Sequence, residues 1–526
     1  MNYLFLNGRV FNTATKAFEP NSVLVSDTQI SHLGSERECR AMAASAYETI
    51  DLKGKLLLPA FTDSHTHFVE LAKSSILVNL IDCITIDEVL NNLSTYRDKL
   101  SWQPAWILGG SWDKNKLDKP ELLNKHLLDK VFPHTPVALM SKDYHSKLCN
   151  SKALALAGID HATPDPDGGR IERDNSGEPT GILFETAGEM MDKFIVPLPA
   201  EQILRAIKQS VKSLYPMGLV AFHSMESAAS RDLLLQAQQQ GSSFRFCWHF
   251  PVDELSRVNS EPFRSYEGEA HYRVGGMKIF GDGSLGSQTA AMDAPYPGSD
   301  ANYGILRYRD AELYSLMQNA VELGFSSTIH AIGNRCVRQV IDATIKLNSQ
   351  YPAKPLMHRI EHVQSIRQED ILRLKQASLF ASVQPLHLPN DVPMIEQYWH
   401  NIQEQVYSFS SMLDAEIPLG FGSDAPIESI NPMLGIYSAV YRRPKLKHHL
   451  EPFRPDQAIS PEQAITAYTL GAAMASREEH QTGSIAVAKQ ADLIVLDDYT
   501  KEPETFWLSA QSRLTMFAGE IVYSAL

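Results

Sequence analysis

Histidine, lysine and aspartate recur in this sequence at positions where a metal could use them. The segment HRIEH, residues 358–362, has the form H-x-x-E-H. On a helix that spacing puts two imidazoles on one face with the glutamate as general base, as in an inverted zinc-protease motif. The flanking sequence YPAKPLMHRIEHV argues against a helix: Pro352 and Pro355 lie just upstream, the apolar run is short, and helical spacing starts only at QSIRQEDILRLKQAS. HRIEH therefore reads as the end of a strand. Successive side chains then face opposite sides, with His358, Ile360 and His362 on one and Glu361 on the other. His362 becomes the candidate ligand.

Other segments offer partners. His65 and His67 in FTDSHTHF follow the apolar run LLLPA, so both can project from one face of a strand toward a metal. Lys278 lies in the apolar segment VGGMKIFGDGS. Burial lowers the pKa of an amine, and a neutral amine can take up carbon dioxide to become a carbamate, an anionic oxygen ligand; a lysine snorkelling its head to solvent is the alternative. His330 in STIHAIGN and Asp424 in LGFGSDAP also end apolar runs. Taken singly, a hydrogen-bonded core histidine and a turn aspartate explain them. Together, four His, one Lys and one Asp form a set of nitrogen and oxygen donors suited to zinc.

The elements needed to bring them together are short apolar strands alternating with amphipathic helices, the pattern of a mainly parallel α/β fold. Eight strand segments are legible: LLLPAFTDSHTH, GLVAFHS, FRFCWHF, GGMKIFGDGS, GFSSTIHAIGN, LMHRIEHV, ASLFASVQPLH and IPLGFGSDAP. Eight such units predict a TIM-type (β/α)8 barrel, in which chemistry sits at the C-terminal ends of the strands. The six candidates end strands one, four, five, six and eight. The long gap between the first two segments places an insertion at about 70–205, with a hairpin in GGRIERDNSGEPTGIL. Residues 1–58 and 481–526 share a texture of short strands and turns, which predicts that both chain ends build one small β-sandwich around the barrel region 59–480.

Composition bounds the rest. With 526 residues, 44% of them hydrophobic, the chain can bury a large core. No apolar run approaches a membrane span, and the N-terminus lacks a signal-peptide pattern, so a cytoplasmic location is expected. The five cysteines are scattered without a CxxC pair, which suggests neither a disulfide framework nor a thiolate metal site. A net charge of −14 without a basic cluster argues against nucleic acid or membrane as partner and leaves a small-molecule substrate, with a homo-oligomer open.

The ordered set H-T-H, Lys278, His330, His362 and Asp424 resembles the amidohydrolase superfamily. The wording of KIFGDGSLGSQTAAM, HAIGN, RIEHVQ, SVQPLH, GSDAPIESINPM and TGSIAVAKQADLIVLD is similar to its type 3 branch, which includes N-substituted formamide deformylases. The resemblance implies two divalent metals, zinc by expectation. His65 and His67 would hold one and His330 and His362 the second. Lys278 would bridge them as a carbamate, and Asp424 would ligate the first metal and shuttle a proton. It implies a hydrolase that cleaves a carbon–nitrogen bond other than a peptide bond (amide, formamide or cyclic amide) through metal-activated hydroxide. GGSWD and MSKDYHSKLCNSKAL resemble pocket-lining segments of the family, making Trp112 and His145 the substrate-side candidates, with His145 an oxyanion stabiliser; core packing and a surface histidine are the plain alternatives. Tyr144 stands where the family usually has a small residue. Two other readings stay open. One is a catalytically silent regulatory binder. The other is an isomerase or decarboxylase on the same fold, which would need a pocket cation such as Arg359, Lys142 or Arg442.

Overall fold

A computed structural model describes residues 2–526 apart from 44–45, 101, 143–145, 355, 444–450 and 501–502, and apart from the side chain of Asn115. Chain contacts divide it into two compact units, one formed by residues 1–69 with 208–526 and the other by 70–207.

In the larger unit each of the eight strand segments forms a strand: Phe61–Thr66, Leu219–Ser224, Arg245–Pro251, Tyr272–Phe280, Ser326–Ala331, Arg359–His362, Phe380–Val383 and Leu419–Phe421. They pair in sequence order, all parallel. Helices follow most of them, among them Ala228–Gln239, Asp310–Glu322, Asn334–Gln350, Gln368–Gln376, His387–Tyr398 and Pro432–Tyr441. The result is a nearly closed eight-stranded parallel barrel. Among the described residues strands eight and one share no ladder, and an isolated bridge between Thr66 and Ala425 joins them. Around it the Asp424 N–H donates to the His65 carbonyl (2.7 Å) and the His67 N–H to the Ala425 carbonyl (2.8 Å). The Asp63 carboxylate accepts from the N–H groups of His65 (2.9 Å) and Ser423 (3.0 Å).

The barrel's two faces differ in kind. Ile329, Ile360 and Ala381 are fully buried, and each of the two isoleucines contributes about 1.5–3 kcal/mol. Inside, the filling is polar: the Ser64 and Ser382 hydroxyls lie 3.1 Å apart, and His249 Nδ1 lies 2.8 Å from the Thr328 hydroxyl. Buried polar groups are tolerated only when hydrogen-bonded, so this interior is a designed network rather than a conventional apolar core.

The chain ends build two further sheets, and in one of them they meet. One has the order Gln29–Gly34, Ser22–Ser26, Tyr3–Leu6, Glu48–Asp51; the other runs Glu520–Ser524, Leu514–Phe517, Leu493–Leu496, Leu56–Pro59, Arg9–Asn12, Ala17–Glu19. Leu493–Leu496 pairs antiparallel with Leu56–Pro59, so N- and C-terminal segments share one sheet. Side chains of both sheets, including Phe5, Val23, Leu57, Leu493 and Met516, pack in one apolar cluster.

The second unit carries its own six-stranded sheet, in the order Gly169–Arg173, Pro179–Glu185, Ser146–Cys149, Val137–Ser141, Ile107–Trp112, Val78–Asn79. Gly169–Arg173 and Pro179–Glu185 form the antiparallel hairpin suggested by the turn residues between them. Helix Ile86–Lys99 begins with a Thr85 and Glu88 capping box and buries Ile86, Val89 and Leu93 against this sheet's apolar cluster. No helix among the described residues is long and apolar enough to cross a membrane, and all five cysteines are buried thiols without disulfides.

Candidate metal centre

The ends of strands one, four, five, six and eight converge, and with them the six residues selected from sequence. His65 is fully buried and its Nε2 lies 3.4 Å from Asp424 Oδ1. His67 Nε2 stands 3.5 Å from the same oxygen. Lys278 Nζ is 3.3 Å from His65 Nε2. The His362 ring lies 5.0 Å from that of His65 and 4.5 Å from that of His330. The nitrogen and oxygen donors of His65, His67 and Asp424 are mutually within 4.8 Å, as are those of His362, His387 and Asp424.

Backbone geometry makes this convergence. On strand six, pleat alternation sends Arg359 and Glu361 into the barrel, where Glu361 Oε2 reaches His65 Nδ1 at 2.6 Å. The same alternation would turn His362 away from Glu361's face. It does not, because His362 (φ 74°) and Val363 (φ 46°) adopt the left-handed conformation and the chain leaves the strand there. Asp424 (φ 59°) does the same at the end of strand eight. For non-glycine residues this conformation costs of order 1–2 kcal/mol, and such outliers cluster at functional sites.

The electrostatics suit neutral imidazole ligands. Burial, with the nearby Lys278, lowers His330 to about 3, and burial lowers His67 to about 4. His65 is lowered chiefly by burial and His362 falls well below its ordinary value for the same reason. Burial also lowers the Lys278 amine, against the pull of Glu361 and Asp424. Burial would raise the Asp424 carboxyl, but His387 and the surrounding histidines hold it well below the usual carboxylate range. The His330 Nε2–H donates to the Gly283 carbonyl at 3.0 Å, which leaves Nδ1 as its lone-pair nitrogen. His362 Nδ1 is buried without a hydrogen-bond partner among the described residues. Such an orphan is costly unless something binds it, and a divalent cation held by imidazoles and carboxylate is what this donor set fits.

His387 is the residue that sequence reasoning left out. It opens the helix after strand seven, with Nε2 3.5 Å from Asp424 Oδ2 and Nδ1 3.9 Å from Glu428 Oε1. Burial lowers its pKa, but bonds to Asp424 and Glu428 outweigh that and raise it to about 10. The signal was the segment SVQPLH at the end of a predicted strand.

Other candidates find different surroundings. Trp112 belongs to the apolar core of the second unit, 4% exposed, with its indole N–H donated to the Leu139 carbonyl at 2.8 Å. That is the surrounding the core-packing alternative describes. His145 and Tyr144 lie outside the described residues. Of the cations an isomerase or decarboxylase would need, Arg359 is buried against Glu361, Arg442 is buried on the carbonyls of Phe453, Gln457 and Tyr407, and Lys142 is exposed in the second unit. A third donor trio, His223, Cys247 and His249, is buried in the barrel. Arg359 Nη1 lies 2.7 Å from His223 Nδ1 and 3.1 Å from His249 Nε2, so a guanidinium already takes the place a cation would want.

Comparison with known proteins agrees with this architecture. Residues 48–523 match the model of the amidohydrolase family. A putative amidohydrolase, YtcJ, of Bacillus subtilis (strain 168) is 30% identical over 99% of both chains. An N-substituted formamide deformylase of Arthrobacter pascens is 28% identical, covering 94% of this chain and 93% of its own. Among solved structures, an uncharacterized metal-dependent hydrolase from Pyrococcus horikoshii OT3 superposes with a TM-score of 0.79 at 26% identity, covering 97% of this chain and 99% of that one.

Proposed function

Because the chain belongs to the amidohydrolase family, and is on that ground a hydrolase, we propose that it cleaves a carbon–nitrogen bond other than a peptide bond in a small amide, formamide or cyclic amide. The deformylase relative supports this bond class. The observation that carries the reading is the convergence of His65, His67, Lys278, His330, His362 and Asp424 on one site. In it His65, His67 and Asp424 would hold one divalent ion, zinc by preference of the donor set, and His330 and His362 a second. Lys278 would serve both as a carbamate, a reading supported by its burial, its lowered pKa and the lack of an ion pair to it among the described residues.

A divalent ion bound there supplies Lewis acidity, bringing the pKa of water toward neutrality and polarising the scissile carbonyl. The chain's own residues handle the protons. Asp424 keeps its carboxylate ionised at neutral pH, and its Oδ1 faces His65 and His67. It can accept a proton from the attacking water and return it to the leaving nitrogen, which must be protonated to depart. Its other oxygen faces His387, which fixes the carboxylate's rotation and balances its charge. His65, His67 and His330 stay neutral and so keep their lone pairs available.

The test is an Asp424→Ala variant assayed against amides, formamides and cyclic ureas, with metal content measured by plasma mass spectrometry. Turnover should fall by ~10²–10⁴, the range of a lost general acid–base. An alanine variant with wild-type metal content and wild-type turnover would remove Asp424 from the mechanism.

A further inference from the structure

We propose that Glu361, clamped by Arg359, is a positioning residue that decides which nitrogen of His65 faces the metal centre; the idea rests on the metal centre proposed above. Both residues are fully buried on the inner face of strand six. A buried ion pair of this kind is seldom a net source of stability, because desolvation offsets the attraction. Its geometry suggests a different use.

Arg359 donates from Nε to Glu361 Oε1 at 3.0 Å, and its Nη2 lies 2.9 Å from the same oxygen. The Nη2 group also donates to the Ser64 carbonyl at 2.7 Å. Nη1 donates to His223 Nδ1 at 2.7 Å, and the His249 ring, whose Nδ1 accepts from the Gly276 N–H at 3.0 Å, packs beside it. The guanidinium is thus fixed from three sides and commits Oε1. The remaining oxygen, Oε2, lies 2.6 Å from His65 Nδ1. An ionised carboxylate only accepts. His65 must therefore carry its proton on Nδ1, and the Nε2 lone pair points at the space shared with Lys278 and Asp424. Carboxylates in this position orient metal-bound histidines and raise their basicity.

Glutamine at 361 turns this into an experiment. Arginine has no acceptor, so in Glu361→Gln the amide oxygen must take the Oε1 place and the NH₂ must face His65 Nδ1. His65 then has to accept there and carry its proton on Nε2, where a metal would bind. Removing the guanidinium frees the amide to turn over, so Arg359→Met combined with Glu361→Gln should restore the original tautomer.

Metal-stripped wild type, Glu361→Gln and the double variant are titrated with zinc against a chromophoric chelator. Glu361→Gln should bind zinc at least tenfold more weakly, within the ~10–100-fold range of such partners, and the double variant should recover part of that loss. A purely structural pair would make the double variant the worst of the three. In parallel, nitrogen NMR of histidine-labelled, metal-free protein, with His65 assigned by its loss in His65→Gln, should show Nδ1–H in wild type and Nε2–H in Glu361→Gln. An unchanged tautomer overturns the proposal even if the double variant fails to fold, as does equal zinc affinity of wild type and Glu361→Gln. A wild type that binds no zinc yet shows the expected tautomers would refute the metal reading and leave the positioning role standing.

Discussion

His387 offers a quantitative test of the site's charge balance. In metal-free protein its pKa is raised to about 10, against the ordinary 6.5 in the unfolded chain. A group whose folded value is raised contributes stability that is fully present below the unfolded value, here 6.5, and is lost as pH rises through about 10. At 1.36 kcal/mol per tenfold, the gap sets a ceiling of ~5 kcal/mol. The His387 side chain is 9% exposed and its partners Asp424 and Glu428 are 14% and 17% exposed, so solvent screening takes a share and ~2 kcal/mol is the working figure. His387→Gln removes that contribution and leaves two carboxylates without their cation. At ~2 °C per kcal/mol for a large domain, the metal-stripped variant should melt ~4 °C below wild type at pH 7. At pH 10.5 the difference should largely close, since wild-type His387 is then neutral. Thermal melts at both pH values decide it. A gap that stays constant, or opens, between pH 7 and 10.5 would show that His387 is not held as an imidazolium.

Two further substitutions probe the surroundings. A methyl group at Gly275 would sit 2.4–2.7 Å from three atoms of the His249 ring; Gly275→Ala should cost ~1–3 kcal/mol as overpacking and push that ring against the Arg359 guanidinium packed beside it, read as a lower melting point together with weaker zinc binding. Trp112→Phe deletes the bond to the Leu139 carbonyl and should cost ~1 kcal/mol with KM unchanged, whereas a raised KM at an unchanged melting point would return Trp112 to the substrate side.

Much of this was legible in the sequence, for identifiable reasons. Each barrel strand is a short apolar run ended by turn residues, and its last polar residue falls at the barrel mouth; that is why the positions of His65, His330 and Asp424 are legible in the sequence. What escaped was set by geometry that residue types do not encode. Period-two alternation put His362 and Glu361 on opposite faces, and the left-handed turn at His362 brings both to His65. His387 was hidden because it opens a helix that contains Pro389 and Pro393, where neither helical spacing nor strand parity marks a functional face. For Trp112 the sequence leaves both readings open, because an aromatic beside glycines suits a pocket wall as well as a core.

The barrel seam ties fold to chemistry more closely than the strand list suggests. Strands eight and one cannot form a regular ladder there. A Cβ at Gly422 would stand 2.5 Å from the His65 nitrogen, so the approach is so close that only glycine fits. The chain closes the gap instead with the Asp63 carboxylate, which takes the N–H groups of His65 and Ser423, and with the Asp424 N–H bonded to the His65 carbonyl. These bonds fix the backbones of His65 and Asp424, two members of one donor cluster. The left-handed conformation at Asp424 is affordable because this seam over-determines it. Closing the barrel and assembling that half of the centre are therefore one event, and a substitution at the seam that leaves the fold marginally intact should reach the site before it reaches the core.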